Sequence, residues 1–152
     1  DILVIHRDSL TPHPYLATRF NEGAPTISPD GRWIAYVSRE SGRAEVYLGT
    51  FPNASGGRQV VSTQGGTEPV WSRDGQTLFF RAGNGELTAR AVHAGASMTL
   101  GPVRSVLKDG YERNPDGANY DVAPGGGSFV MNTTQPVNNR IVWILNAVPD
   151  QR

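Results

Sequence analysis

The chain repeats itself, and that repeat limits what it can fold into more than any other feature. Ala24-Pro-Thr-Ile-Ser-Pro-Asp-Gly-Arg-Trp-Ile-Ala-Tyr-Val37 realigns on Glu68-Pro-Val-Trp-Ser-Arg-Asp-Gly-Gln-Thr-Leu-Phe-Phe-Arg81. Ser28 falls on Ser72, Asp30 on Asp74 and Gly31 on Gly75, each 44 residues on. A weaker copy, Tyr120-Asp-Val-Ala-Pro-Gly-Gly-Gly-Ser-Phe-Val-Met131, sets Ala123 in the place of Ser72 after 51 residues. A period in the forties with several strands per unit is the spacing of β-propeller blades.

The chemistry inside each unit agrees. Pro29-Asp30-Gly31 and Arg73-Asp74-Gly75 are turn material, because Asp bonds to nearby backbone and Gly accepts positive φ. Each turn joins a short run, Pro25–Ile27 or Pro69–Trp71, to an apolar one, Trp33–Val37 or Leu78–Arg81. Glu45–Leu48 and Arg58–Val61 complete the first unit as third and fourth strands. Glu86–Val92 and Val103–Leu107 complete the second. Several strands are apolar without a gap: Ile34–Val37, Leu78–Phe80, Phe129–Met131 and Ile141–Leu145. A half-wet strand alternates, so continuous runs predict sheets covered on both faces, as in a blade between two others. No 3.6-residue period is visible, so little or no helix is expected.

The predicted fold is all-β: four-stranded antiparallel blades, about three per chain, in one domain. Blades are expected at residues 22–63, 67–107 and 119–146, with a partial one at 1–20. Ile2–Ile5 and Tyr15–Ala17 read as a third and fourth strand. The last unit supplies Asn119–Val122, Ser128–Asn132 and Arg140–Leu145. Propellers close with four to eight blades, so this number leaves apolar end faces open. Self-association, with two copies forming a ring of about six blades or a stack, would cover them. Neighbouring blades of a longer propeller are the other solution.

Composition removes several function classes. Fourteen basic and fourteen acidic residues cancel, which argues against a nucleic-acid or anionic-membrane partner. No apolar run approaches the ~18 residues of a membrane span. The absence of cysteine excludes disulfides and thiolate chemistry but leaves the compartment open. The chain starts at Asp1, not Met, and is expected to be a processed product or a piece of something longer.

Glu22–Val37, then Gly65-Gly-Thr-Glu-Pro-Val-Trp-Ser-Arg-Asp-Gly75, Gly110–Arg113 and Asn119–Val122 resemble the WD40-like, TolB-like PD40 repeat. Their succession, over essentially the whole chain, is most similar to the C-terminal propeller of bacterial transmembrane serine/threonine kinases and related sensory proteins. The resemblance implies a periplasmic or extracellular propeller of six to eight blades that binds a protein or small ligand. The kinase signatures (glycine-rich loop, His-Arg-Asp, Asp-Phe-Gly) are absent, so no kinase activity follows. Related propellers also gate serine peptidases or form polysaccharide lyases, which keeps an enzyme accessory or fragment open as an alternative. A purely structural, self-assembling fragment is a third.

No catalytic residue, metal ligand or cofactor is predicted. His6, His13 and His93 lack metal-ligand spacing, and no Gly-x-Ser-x-Gly elbow is present. Asp30 and Asp74 obey the repeat, as turn residues must and a catalytic pair need not. Trp33, Trp71 and Trp143 are expected in packing between blades. Asn53-Ala-Ser55 and Asn132-Thr-Thr134 fit the glycosylation pattern by coincidence, and Gly125–Gly127 is a turn with no helix behind it. The third unit arrives seven residues late, so the loop from Asp109 to Ala118 is long. It carries Tyr111 and Arg113, residue types that anchor binding surfaces. Glu68 and Asn119 begin innermost strands and are expected near the mouth of a central channel. Glu68, Tyr111, Arg113 and Asn119 are the candidate ligand-binding residues of an otherwise non-catalytic interaction module. They compete with a plainer expectation, that Tyr111 and Arg113 pack the loop onto the blade edge.

Overall fold

The computed structural model describes residues 1–94, 98–108, 110–114, 117–133 and, as backbone, 143–145. Among the described residues, thirteen strands run β1 (Ile2–Ile5), β2 (Pro12–Leu16), β3 (Glu22–Ile27), β4 (Trp33–Ser38), β5 (Glu45–Thr50), β6 (Arg58–Val60) and β7 (Gly66–Trp71). They continue as β8 (Thr77–Ala82), β9 (Leu87–Ala94), β10 (Met98–Leu107), β11 (Tyr120–Val122), β12 (Ser128–Met131) and β13 (Trp143–Leu145). The one helical element among the described residues is a 3₁₀ turn, Ala54–Gly56. Four antiparallel sheets result: β1–β2, β3–β4–β5–β6, β7–β8–β9–β10 and β11–β12–β13. They follow one another as propeller blades do, and they do not close a ring. The part of the last strand expected at residues 140–142 lies outside the described residues, as do Asp109, Thr134 and the side chain of Trp143.

The gapless apolar runs are explained by which face each side chain takes. Alternate residues of β4 serve two interfaces: Ile34 and Tyr36 pack with Ile2, Tyr15 and Tyr47 against the first sheet. Ala35 and Val37 pack with Val46, Leu48, Trp71, Leu78 and Phe80 against the third. In β8, Phe79 turns to the last sheet, where it meets Phe129 edge-on at 5.2 Å between ring centres. A strand of period two buried on both faces must be apolar at every position. β12 departs from this: Phe129 and Met131 are buried, but Val130 between them is 36% exposed.

The hairpin turns explain themselves locally. Ser28 Oγ donates to Asp30 Oδ1 at 2.6 Å, and Asp30 accepts the Arg32 amide at 3.1 Å. Ser72 Oγ donates to Asp74 at 2.6 Å, and Asp74 accepts the Gln76 amide at 3.0 Å. Gly31 and Gly75 both take φ +71°, where a side chain is disfavoured. In the third copy Gly126 (φ +73°) holds the place of Gly75, and Gly125 replaces the aspartate.

Polar side chains tie neighbouring sheets together. Arg90 of β9 donates to the Gly101 carbonyl (2.7 Å) and reaches the Val61 carbonyl at 2.6 Å. Gln59 of β6 donates to the Met98 carbonyl at 2.9 Å. Buried Glu45 accepts the Gly65 amide at 2.9 Å, the Arg43 guanidinium at 2.6 Å and the Ser62 hydroxyl.

Candidate functional site

Strand direction puts the β4–β5, β6–β7, β8–β9 and β10–β11 connections at one end of the sheets, and their backbones touch there. The Gly83 amide donates to the Gly65 carbonyl at 3.0 Å and Gly66 to Ala44 at 2.9 Å. A Cβ on Gly83 would stand 2.1 Å from the Gln64 carbonyl oxygen, so this approach requires glycine. The long β10–β11 connection sits at this end.

Glu68 organises that connection. It lies in the irregular stretch of β7 with φ +54°, and Ala24, its repeat equivalent, has φ +49°. The bulge turns the Glu68 side chain inward, where it is fully buried. Its Oε1 accepts the Asn114 amide at 3.1 Å and its Oε2 the Asn119 amide at 2.9 Å. One carboxylate therefore pins both ends of the segment between them. Arg81 Nε pairs with Oε2 at 3.2 Å, also fully buried, and its guanidinium lies 5.4 Å from the centre of the Tyr120 ring. Tyr120 Oη donates to the Glu68 carbonyl at 2.8 Å. Burial, then the nearby Glu68 charge, pushes the Tyr120 hydroxyl well above its ordinary pKa, so it is a donor at all physiological pH.

The structure thus brings Glu68 and Asn119 together, but not as an open mouth: Glu68 has no exposed surface and lies under the connection it pins. A buried carboxylate needs partners, and these are inside the protein. Tyr111 packs its ring on the apolar cluster of Phe79, Leu87 and Phe129. The Glu112 amide donates to the Asn132 carbonyl at 3.1 Å. Arg113 is exposed, and its guanidinium lies over Gly85 of the β8–β9 turn, where a Cβ would come within 2.2 Å of Nη2. Asn119 is half-buried, with its side chain 3.4 Å from Asn132. Of the four candidates, Arg113 alone is an exposed side chain.

Asp30 and Asp74 occupy the turns at the opposite end. The Asp30 carboxyl is held down to about 2, first by the Ser28 hydroxyl and then by the Arg32 amide. The His6 and His13 rings lie 6.3 Å apart on the exposed first hairpin, while His93 is on β9. Among the described residues, no group of three or more metal-ligating side chains converges. Sequence reasoning passed over Arg81, because it ends an apolar run and its partner sits on the neighbouring strand.

No family model matches the chain. A segment of 59 residues, 39% of this chain, is 44% identical to the Tol-Pal system protein TolB of Coxiella burnetii and spans 13% of that protein. The crystal structure of TolB from Acinetobacter baumannii superposes with a TM-score of 0.52 at 19% identity, covering 95% of this chain and 46% of that one. The fold is that of a TolB-like propeller. A putative 6-phosphogluconolactonase from Bacteroides uniformis superposes similarly, with a TM-score of 0.53 at 18% identity, covering 84% of this chain and 39% of that one. The chain spans less than half the length of each of these proteins.

Proposed function

We propose that the chain is a non-catalytic interaction module whose blades hold Tyr111–Asn114 and Asn119 of the β10–β11 connection in place and present them to a protein partner. The observation that carries this is the double anchoring of that connection on buried Glu68. Binding surfaces are characteristically loops fixed by a rigid scaffold, because little ordering entropy is then lost on association. Arg113 is the exposed contact, lying over Gly85, while Tyr111 packs on the blade core and Asn119 sits beside Asn132. A small ligand at the same place is the narrower variant. The likeness to a lactonase is one of fold alone and brings no activity with it.

The TolB-like fold and the succession of repeat motifs support a periplasmic or extracellular module, of the type that ends bacterial transmembrane serine/threonine kinases. Self-association belongs to the same proposal, since the end sheets carry exposed apolar side chains. Paired affinity capture with the wild-type chain and Arg113→Glu tests the module. A partner retained by the wild type and depleted about tenfold or more on the variant is expected for an interface arginine. Identical captures sink the role of the connection, and turnover of any lactone or peptide substrate sinks the non-catalytic assignment.

A further inference from the structure

The two histidines of the first hairpin lie seven positions apart in sequence, and the fold closes that gap. β1 and β2 pair Val4 with His13, and His6 lies two residues past Val4, so all three share one face of the hairpin. It is the face that Ile2 and Val4 turn toward the second sheet, opposite to exposed Leu3 and Ile5. The imidazole rings stand 6.3 Å apart between centres and are tilted by 57°, so they do not stack. Both residues are exposed, and among the described residues neither ring is taken up by a hydrogen bond or an ion pair. Their nitrogens are open to a ligand. The backbone between them is held. The Ser9 and Leu10 amides donate to the His6 carbonyl at 3.2 and 2.9 Å, and the Thr11 hydroxyl donates to the Ser9 carbonyl at 3.2 Å. Pro12 and Pro14 fix φ on either side of His13. The hairpin thus presents the two rings together with little left to order.

We propose that His6 and His13 form a two-imidazole seat for an exchangeable divalent transition ion of the zinc, nickel and copper class. An ion about 2.0–2.1 Å from an imidazole nitrogen lies roughly 3.2 Å from the centre of that ring. Two rings on one ion then have centres roughly 4.5 to 6.4 Å apart, as the angle at the ion opens from a right angle to a straight line. The observed 6.3 Å falls at the wide end. A tetrahedral ion draws the rings together by about 1 Å, which exposed side chains reach by turning about χ1 and χ2. Imidazole selects zinc, nickel and copper over magnesium and calcium, which take oxygen ligands. Among the described residues no third imidazole or carboxylate converges on the pair, so water fills the rest of the shell and the ion exchanges. Carrying both ligands on one hairpin makes the second bond intramolecular, which separates this pair from lone His93 on β9. A bound ion also clips β1 to β2 across the turn and stabilises the folded hairpin. The pair lies at the end of the sheets that carries the Asp30 and Asp74 turns, so it stands or falls apart from Arg113.

The test titrates Zn²⁺ alone into the wild-type chain and follows the imidazole ¹H–¹⁵N signals, with His93 as the internal reference. The His6 and His13 rings should shift together and saturate at one ion per chain, while His93 stays unmoved over the same range. His6→Ala and His13→Ala should each weaken the apparent affinity about tenfold or more, and His93→Ala should leave it unchanged. Mg²⁺ at the same concentration should move neither ring. Three rings that titrate alike overturn the inference, as do a silent titration and an equal response to Mg²⁺. Saturation at one ion per two chains overturns it too, because the ion then bridges copies. If an alanine variant does not fold, His6→Gln and His13→Gln are read in the same way.

Discussion

At the scale of single residues, the connection between the third sheet and the last depends on a charge that water never reaches. Glu68 and Arg81 form a fully buried ion pair, and Glu68 also takes the Asn114 and Asn119 amides of that connection. Such a pair adds little over an apolar replacement, but removing one member leaves a buried, uncompensated charge. Glu68→Ala is therefore expected to lower unfolding free energy by roughly 3–5 kcal/mol in urea titration. Glu68→Leu combined with Arg81→Leu should recover much of that loss. Equal losses in the single and double variants would refute the account. Tyr120→Phe, which strands the Glu68 carbonyl, should cost about 1–2 kcal/mol.

At the scale of elements, the hairpins were legible in the sequence because their causes are local. Ser28, Asp30 and Gly31 lie within four residues and bond to one another and to Arg32 and Trp33 just beyond, so the repeat that displays them also displays the turn. The Glu68 site was legible only in part. Glu68 was singled out by its place at the start of an inner strand, but its burial comes from a positive-φ bulge that no apolar pattern announces. Its partners lie 13 to 52 positions away in sequence. Strands also run a few residues past their apolar cores, as in β7 and β10, since backbone pairing outlasts side-chain burial. Two predictions belong to the turns. Gly75→Ala forces a side chain into φ +71° and should cost about 1–2 kcal/mol, while Gly127→Ala, in open space, should change stability by under about 0.5 kcal/mol. The second concerns acid. The Asp30 carboxyl titrates at about 2 when folded, against roughly 3.9 unfolded, and that of Asp74 is also lowered. A depressed folded pKa contributes stability above the unfolded value and loses it as pH falls toward the folded one. The combined Asp30→Asn and Asp74→Asn variant should therefore melt below the wild type at neutral pH. The gap should close between about pH 4 and pH 2, and it should be small because both turns are exposed. A pH-independent gap would assign the loss to turn geometry instead of charge.

At the scale of the whole molecule, each apolar cluster among the described residues joins two sheets adjacent in chain order, so stability accumulates interface by interface. The two inner full sheets are packed on both faces, but the first sheet has one packed face and exposed Leu3 and Ile5 on the other. If nothing covers that face, the first sheet frays before the rest, and its amides exchange fastest. If a second copy covers it, folding and association become one equilibrium, and the melting temperature depends on protein concentration. A tenfold dilution then removes about 1.4 kcal/mol per dimer, which for a chain of this size lowers Tm by roughly 2 °C. Leu3→Asp places a charge on the shared face and should abolish the concentration dependence while the far-ultraviolet circular dichroism stays that of a β protein. A Tm that ignores concentration in both proteins would mean that the end sheets hold their apolar faces in water. The stability of the chain would then rest on the three interfaces between its sheets.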